Sequence, residues 1–362
     1  MSQLSPLEKT LESVPLRQRW SSLRKAQPRT RARDAAEQLG VSEAELLASG
    51  VGEDVVRLEN RIEAILPRLE SLGPVMALTR NTSAVHEKRG IYRPFELHGA
   101  RALFLGEHID LRLFLSHWRF AFACLEGETG NGKRSLQFFD ATGTAIHKVF
   151  LEEGSDVTAF NQLVAEFTSG DQSSVLPLTP REPPAALRPD EAVDVKGLRN
   201  AWLALRDTHD FFWMLKRFET ARVQALRLAG RDLAMPLASG ALTWLLEQAA
   251  ARAVPIMVFV GNPGAIQIHT GPVRTVRPAG PWMNVLDPEF NLHVRADHIT
   301  SGWLVRKPTV DGIVTSVELF DAAGETIAML FGKRKPGQPE AVSWRDLAEE
   351  LARTLPLQEE HS

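Results

Sequence analysis

The sequence predicts an α+β protein made of two homologous repeats. Each repeat is a large antiparallel β-sheet with helices, and the two are related by a pseudo-two-fold with a cleft between them. Three observations carry this expectation. First, "LQFFDATGTAIHKVF" (136–150) and "VELFDAAGETIAMLF" (317–331) match at an offset of 181 residues, through Phe139/Phe320, Asp140/Asp321, Gly143/Gly324 and Ile146/Ile327. The same offset aligns "VMALTRNTSAVHEKRGIY" (75–92) with "IMVFVGNPGAIQIHTGPV" (256–273), and "IDLRLFLSH" (109–117) with "FNLHVRADH" (290–298). One gap-free offset over such a span marks an internal duplication. Second, residues 169–194 are dense in Pro, Ser and charge, which is linker composition. Third, each half opens with helical patterning and continues in short Val-, Ile- and Phe-rich runs divided by turns. Strands with segregated helices define the α+β class.

The expected organisation is an N-terminal repeat over 1–168, a Pro-rich linker over 169–194, a C-terminal repeat over 195–340 and a polar tail over 341–362. Residues 17–34 hold seven Arg or Lys residues. "DAAEQLGVSEAELLAS" (34–49) follows, two helical segments about a glycine turn, similar to a helix–turn–helix. With its basic flank it makes DNA a candidate partner of residues 17–49. The alternative is a helical hairpin that packs on its own half. "FDATGT" and "FDAAGE" predict hairpins, and "GNPG" (261–264) reads as a turn between two strands. It lacks the G-K-[ST] ending of a phosphate loop. In the second half, 196–218 is expected as a helix.

Composition narrows the function classes. The net charge is −3 over 362 residues, so the chain as a whole is no polyanion binder. The lone Cys124 excludes a disulfide framework, Cys-rich metal sites and C-x-x-C-H haem attachment. The N-terminus does not read as a signal peptide, and the longest apolar runs are too short to span a bilayer. A cytoplasmic protein without a membrane span is expected. No H-E-x-x-H or G-x-S-x-G motif is present, so hydrolase readings are poor.

Duplicated halves share their scaffold, so a site is sought where one copy alone has a special residue. His209, within "RDTHDFFWMLKRF" (206–218), falls opposite Pro28 at the offset of 181. On a continuous helix it would share an apolar face with Trp202, Leu205 and Phe212. It is then either a core histidine bonded to a carbonyl or an imidazole ligand facing a pocket. Arg112 alternates with Leu111 and Leu113, opposite His293. It is either solvated or a fixed cation facing a ligand. Lys307, Lys333, Arg334 and Lys335 follow strands. They are either solvated or a clamp for paired carboxylates. His269, in an alternating strand, reads as structural.

Together "RARDAAEQLGVSEAELLAS", "VMALTRN", "IDLRLF", "QFFDATGTAIHKVFL", "DTHDFF", "MVFVGNPGAIQIHTGPV", "NVLDPEFNLH" and "LFGKRKPG" resemble the HemS/HmuS/ChuS/PhuS family. These are cytoplasmic haem-binding proteins, also called hemin-degrading factors or hemin transport proteins. "DTHDFF" and "FGKRKPG" look most like the pseudomonad-type members, such as PhuS. The resemblance runs from about residue 30 to 340. It implies one non-covalent haem b, with His209 as axial ligand to the iron. It implies Arg112 and Phe114 in the distal pocket, and Lys307 and Arg334 at the propionates. Phe331 stands where some members have Tyr. The implied role is reversible haem binding in bacterial iron acquisition, between an inner-membrane haem ABC importer and a haem oxygenase. The alternatives are a haem-degrading enzyme, with Arg112 catalytic, and a haem-responsive DNA-binding regulator.

Overall fold

The computed structural model describes residues 14–125, 133–183, 187–334 and 337–357. The chain opens with helices α1 (Leu16–Ala26), α2 (Ala32–Leu39) and α3 (Glu43–Ala48), then β1 (Val55–Leu58) and the short α4 (Ile62–Ile65). A run of strands follows: β2 (Val75–Arg80), β3 (Ala84–Gly90), β4 (Phe95–His98), β5 (Arg101–Leu105), β6 (Asp110–Phe114), β7 (Phe120–Cys124), β8 (Ser135–Phe139) and β9 (Ala145–Leu151). Helix α5 (Val157–Phe167) closes it. Next come α6 (Val195–Leu203), α7 (Asp210–Arg217), α8 (Arg222–Leu228), β10 (Ala234–Leu237) and α9 (Ala241–Ala251). The second run holds β11 (Ile256–Asn262), β12 (Ala265–Gly271), β13 (Val276–Ala279), β14 (Trp282–Leu286), β15 (Phe290–Arg295), β16 (Ser301–Thr309), β17 (Gly312–Phe320) and β18 (Thr326–Gly332). It ends in α10 (Val342–Thr354).

The duplication is visible strand by strand. β3 and β12, β4 and β13, β5 and β14, and β9 and β18 begin and end 181 residues apart. The two predicted hairpins are β8–β9 and β17–β18, both antiparallel. Their turns use the same device. Asp140 Oδ1 accepts the backbone N–H groups of Thr142 and Thr144, and Asp321 Oδ1 accepts those of Ala323 and Glu325, each at 2.9 Å. A short Asp side chain stands in for a backbone acceptor and fixes the turn. The "GNPG" turn joins β11 to β12 as expected.

Strands gather into two large antiparallel sheets, and the chain packs as two compact units that interleave in sequence. Of the described residues, the first unit holds 14–77, 91–103, 113–125 and 133–182. Its strands run in the order β1-β7-β8-β9-β2. Phe120, Phe122, Phe139 and Val55 pack there under Ala44 and Leu47 of α3. The second holds 78–90, 104–112, 183, 187–334 and 337–357. One series in it runs β10-β16-β17-β18-β11-β12-β6, and another runs β3-β15-β14-β13. Thus β3, from the first copy of the repeat, pairs with β15 of the second, His86 opposite Leu292.

Inside the second unit the two copies of the 75–92 motif meet about a local two-fold. Asn81 Nδ2 donates to the Gly261 carbonyl at 3.1 Å, and Asn262 Nδ2 donates to the Arg80 carbonyl at 2.9 Å. These bonds are symmetry mates at the offset of 181. Lys88 and His269, also equivalent, touch each other at 3.3 Å. His269 is structural, buried and stacked on Phe290 at 3.8 Å.

The expected polar tail is corrected. Val342–Thr354 is a helix that buries Trp344, Leu347, Ala348, Leu351 and Ala352. That i, i+3, i+4, i+7, i+8 stripe packs with Leu245 and Leu246 of α9 onto Val258, Val317 and Leu330. Residues 358–362 of the tail lie outside the described residues.

Candidate functional site

The helix expected over 196–218 is broken: α6 stops at Leu203 and α7 begins at Asp210. Side-chain acceptors cause the break. Asp207 Oδ1 accepts the His209 backbone N–H at 2.7 Å, and Asp210 Oδ2 accepts the Asp207 N–H at 3.1 Å. Short Asp side chains compete with the helical ladder in this way. His209 lands at the N-cap of α7 with its side chain 92% exposed. The expected inward stripe is therefore corrected. Trp202 and Leu205 are buried, whereas His209 and Phe212 face outward.

His209 Nδ1 lies 2.6 Å from Asp207 Oδ1. A carboxylate acceptor favours the proton on Nδ1, which leaves the Nε2 lone pair free to ligate. The His209 backbone N–H, then its ring and the Arg334 guanidinium, hold the Asp207 carboxyl below its ordinary range. Arg334 follows β18 and is half-buried. Its Nη1 is buried with no hydrogen-bond partner among the described residues. A buried guanidinium nitrogen without an acceptor calls for an anion.

β18, which leads into Arg334, contributes to one face of the sheet. Residues opposite each other across a ladder share a face. Met257 opposes Phe331, Phe259 opposes Met329, and Glu318 opposes Met329. The four Met and Phe side chains form a checkerboard, all half-buried, with the Phe259 and Phe331 rings 5.0 Å apart. The opposite face carries Val258, Val317 and Leu330, sealed by α9 and α10. Around β16, helices α6 to α8 cover the checkerboard's face with Leu198, Trp202, Phe211 and Met214 on Trp303 and Val305. Trp202 Nε1 donates to the Arg306 carbonyl at 2.9 Å and ties α6 to β16.

Lys307 is not a free cation. It is 2% exposed, and its Nζ donates to Glu318 Oε1 at 2.6 Å. Arg222 grips the same carboxylate at 2.7 and 2.8 Å, and Ser316 Oγ donates to it at 2.9 Å. Burial works against the Glu318 charge, but Arg222 and Lys307 overcome it and hold the carboxyl well below its ordinary range. The Lys307 ammonium sits 4.7 Å from the Phe211 ring centre and 5.8 Å from that of Phe331. The expected propionate clamp at Lys307 is corrected to a buried ion cluster of one carboxylate and two cations beneath those rings.

Contacts and charge thus join His209 and Arg334 through Asp207, and Lys307 to the Phe211 and Phe331 rings. Arg112 and Phe114 are not among these contacts. Arg112 is half-buried on β6 and bonds Asp110 and, at 3.2 Å, the Leu111 carbonyl. Phe114, at the end of β6, is half-buried in the first unit. Lys333 is exposed, and Lys335 lies outside the described residues. Sequence reasoning missed Arg222, Glu318, Met329 and Phe259. The signal was present, since the first copy has Val41, Gln137, Lys148 and Leu78 at those positions.

In the 17–49 segment the two predicted helices and their glycine turn are present. α2 ends at Gly40, whose φ of 68° makes the turn, and Ser42 and Glu45 form a capping box on α3. However, Glu43, Ala44, Leu46, Leu47 and Ala48 of this six-residue helix are buried. No face of it is open to a groove. Arg17 bonds Glu53 at 3.0 Å, and Arg19 bonds the Leu39 carbonyl at 2.8 Å. The segment is a helical hairpin packed on its own unit.

No helix among the described residues is long and apolar enough to cross a membrane. The family model of the haemin-degrading HemS.ChuX domain matches residues 40–167 and 219–351. Hemin transport protein HemS of Yersinia enterocolitica is 45% identical over 89% of this chain and 92% of its own. The structure of holo-PhuS, a heme-binding protein from Pseudomonas aeruginosa, superposes with a TM-score of 0.90 at 51% identity over 92% of this chain and 97% of that one. That of ChuS, an E. coli heme oxygenase, gives 0.83 at 37% identity over 93% and 99%. Matched twice along its length by the family model and nearly end to end by these relatives, the chain belongs to the haemin-degrading HemS/ChuX family.

Proposed function

We propose that this chain binds one haem b reversibly and passes it on. His209 Nε2 is the axial ligand, and the Met257, Phe259, Met329 and Phe331 face supplies apolar cover. Arg334 receives a propionate, and the Lys307 cluster adds positive charge from below the rings. The observation that carries the reading is the outward imidazole of His209, with Nδ1 already taken by Asp207. The residues fit the group. The orphaned Nη1 of Arg334 needs an anion, and the only cysteine is buried, which leaves no pair of thiols for covalent attachment. Non-covalent ligation by one imidazole suits hand-over. In this reading the protein works in the cytoplasm, takes haem from an inner-membrane ABC importer and delivers it to a haem oxygenase.

A second reading is haem degradation with reductant and O₂. It rests on Arg112, a half-exposed cation ordered by Asp110. A visible-spectrum haem titration of wild type and His209→Ala tests the site. A Soret band that saturates at one equivalent and shifts or weakens in the variant is the expected result. Identical titrations would move the ligand elsewhere. Ascorbate with and without catalase then separates the two roles. Degradation abolished by catalase belongs to a carrier, and one defined tetrapyrrole formed in its presence belongs to an enzyme.

A further inference from the structure

The Asp207 side chain does more than end a helix. One oxygen, Oδ1, accepts the His209 backbone N–H at 2.7 Å and meets the His209 ring Nδ1 at 2.6 Å. Two bonds to one residue fix both where the ring starts and how it turns about its own axis. In return, Asp210 Oδ2 holds the Asp207 backbone N–H at 3.1 Å, so the 207–210 turn is closed from both ends. In water this His–Asp pair is weak, since both side chains are more than half exposed. A flat apolar ligand laid on Nε2 would dry it, and the same hydrogen bond then strengthens.

We propose that Asp207 is a positioning residue for the iron ligand. It selects the Nε2-ligating tautomer and feeds negative charge through the ring to the metal. This rests on the reading of His209 as the axial ligand. The consequence is chemical. A more basic imidazole favours the higher oxidation state, so the bound iron is held ferric. Ferric haem does not take up O₂, and a protein that holds it so carries its cargo without spending it.

The test is the one-electron potential of the haem-loaded protein, by spectroelectrochemistry, for wild type, Asp207→Asn, Asp207→Ala and His209→Ala. The Asn variant keeps an acceptor oxygen for the turn and removes only the charge, so folding is preserved. The expected result is a ferric-to-ferrous affinity ratio that falls about tenfold in Asp207→Asn, equivalent to 59 mV for a one-electron couple. The iron–imidazole stretch of the ferrous form falls with it. Asp207→Ala moves at least as far. Wild-type potential and stretch in Asp207→Asn would overturn the proposal and leave Asp207 as a turn residue only. Failure of the ligand reading has a different signature: His209→Ala itself then shows the wild-type spectrum and potential.

Discussion

At the scale of single residues, chemistry is decided by which polar groups find partners. Glu318 is the clearest case away from His209. It is fully buried and accepts from Arg222, Lys307 and Ser316. Replacing it by Ala strands two cations in an apolar wall. Breaking a buried ion pair from one side costs about 3–5 kcal/mol. Glu318→Ala should therefore lower the urea midpoint strongly, and an unchanged midpoint would show the cluster to be solvated. His209 could be picked from the sequence because only one copy of the repeat has a histidine there. Its surroundings could not. Periodicity placed it on an apolar stripe, whereas two Asp side chains within three residues overrule the helix, a contest that no period encodes. Arg334 was legible as a cation, but its orphaned nitrogen is a property of packing alone.

At the scale of elements, turn chemistry was the most readable feature. The Asp-x-x-Gly turns at 140–143 and 321–324 announce their hairpins by residues that only such turns need. Helix α10 was not read, although its stripe is regular, because charges on the outer face dominate its composition. Its seat depends on one glycine. A Cβ on Gly332, the last residue of β18, would lie 2.4–2.7 Å from the Trp344 side chain. Trp344 is fully buried, and its Nε1 donates to the Thr315 carbonyl at 3.0 Å, so it has nowhere to go. Overpacking of this kind costs about 1–3 kcal/mol. Gly332→Ala should lower the melting temperature and loosen α10, read as faster amide exchange over 342–354. Ser42→Ala should cost about 1 kcal/mol by removing the capping-box acceptor. Unaltered exchange in the first case would mean that the helix can slide.

At the scale of the whole molecule, the duplication was legible and its pairing was not. Hydrophobic patterning says which face of a strand is buried, never which strand lies beside it. Hence β3 pairs with β15, and β6 neighbours β12, against the simple expectation of two halves in sequence. One cost of this packing is titratable. His86, His147 and His269 are buried. Desolvation depresses all three, His147 and His269 to about 3, and for His86 the charges of His269 and Lys88 add to it. In the unfolded chain each would titrate near 6.5. Below that pH the unfolded state binds protons that the folded state refuses, so stability is full above about 6.5 and falls on acidification. Each imidazole contributes a loss of up to about 1.4 kcal/mol per pH unit until its own folded pKa is reached. Tyr92 bonds His147 Nε2 at 2.6 Å, and Lys88 faces His269. Urea midpoints measured from pH 8 to 4.5 should be level down to about 6.5 and then drop steeply. His147→Gln should flatten part of that drop at the expense of some stability at pH 8. A midpoint that held constant to pH 5 would mean that these imidazoles reach water in the folded protein.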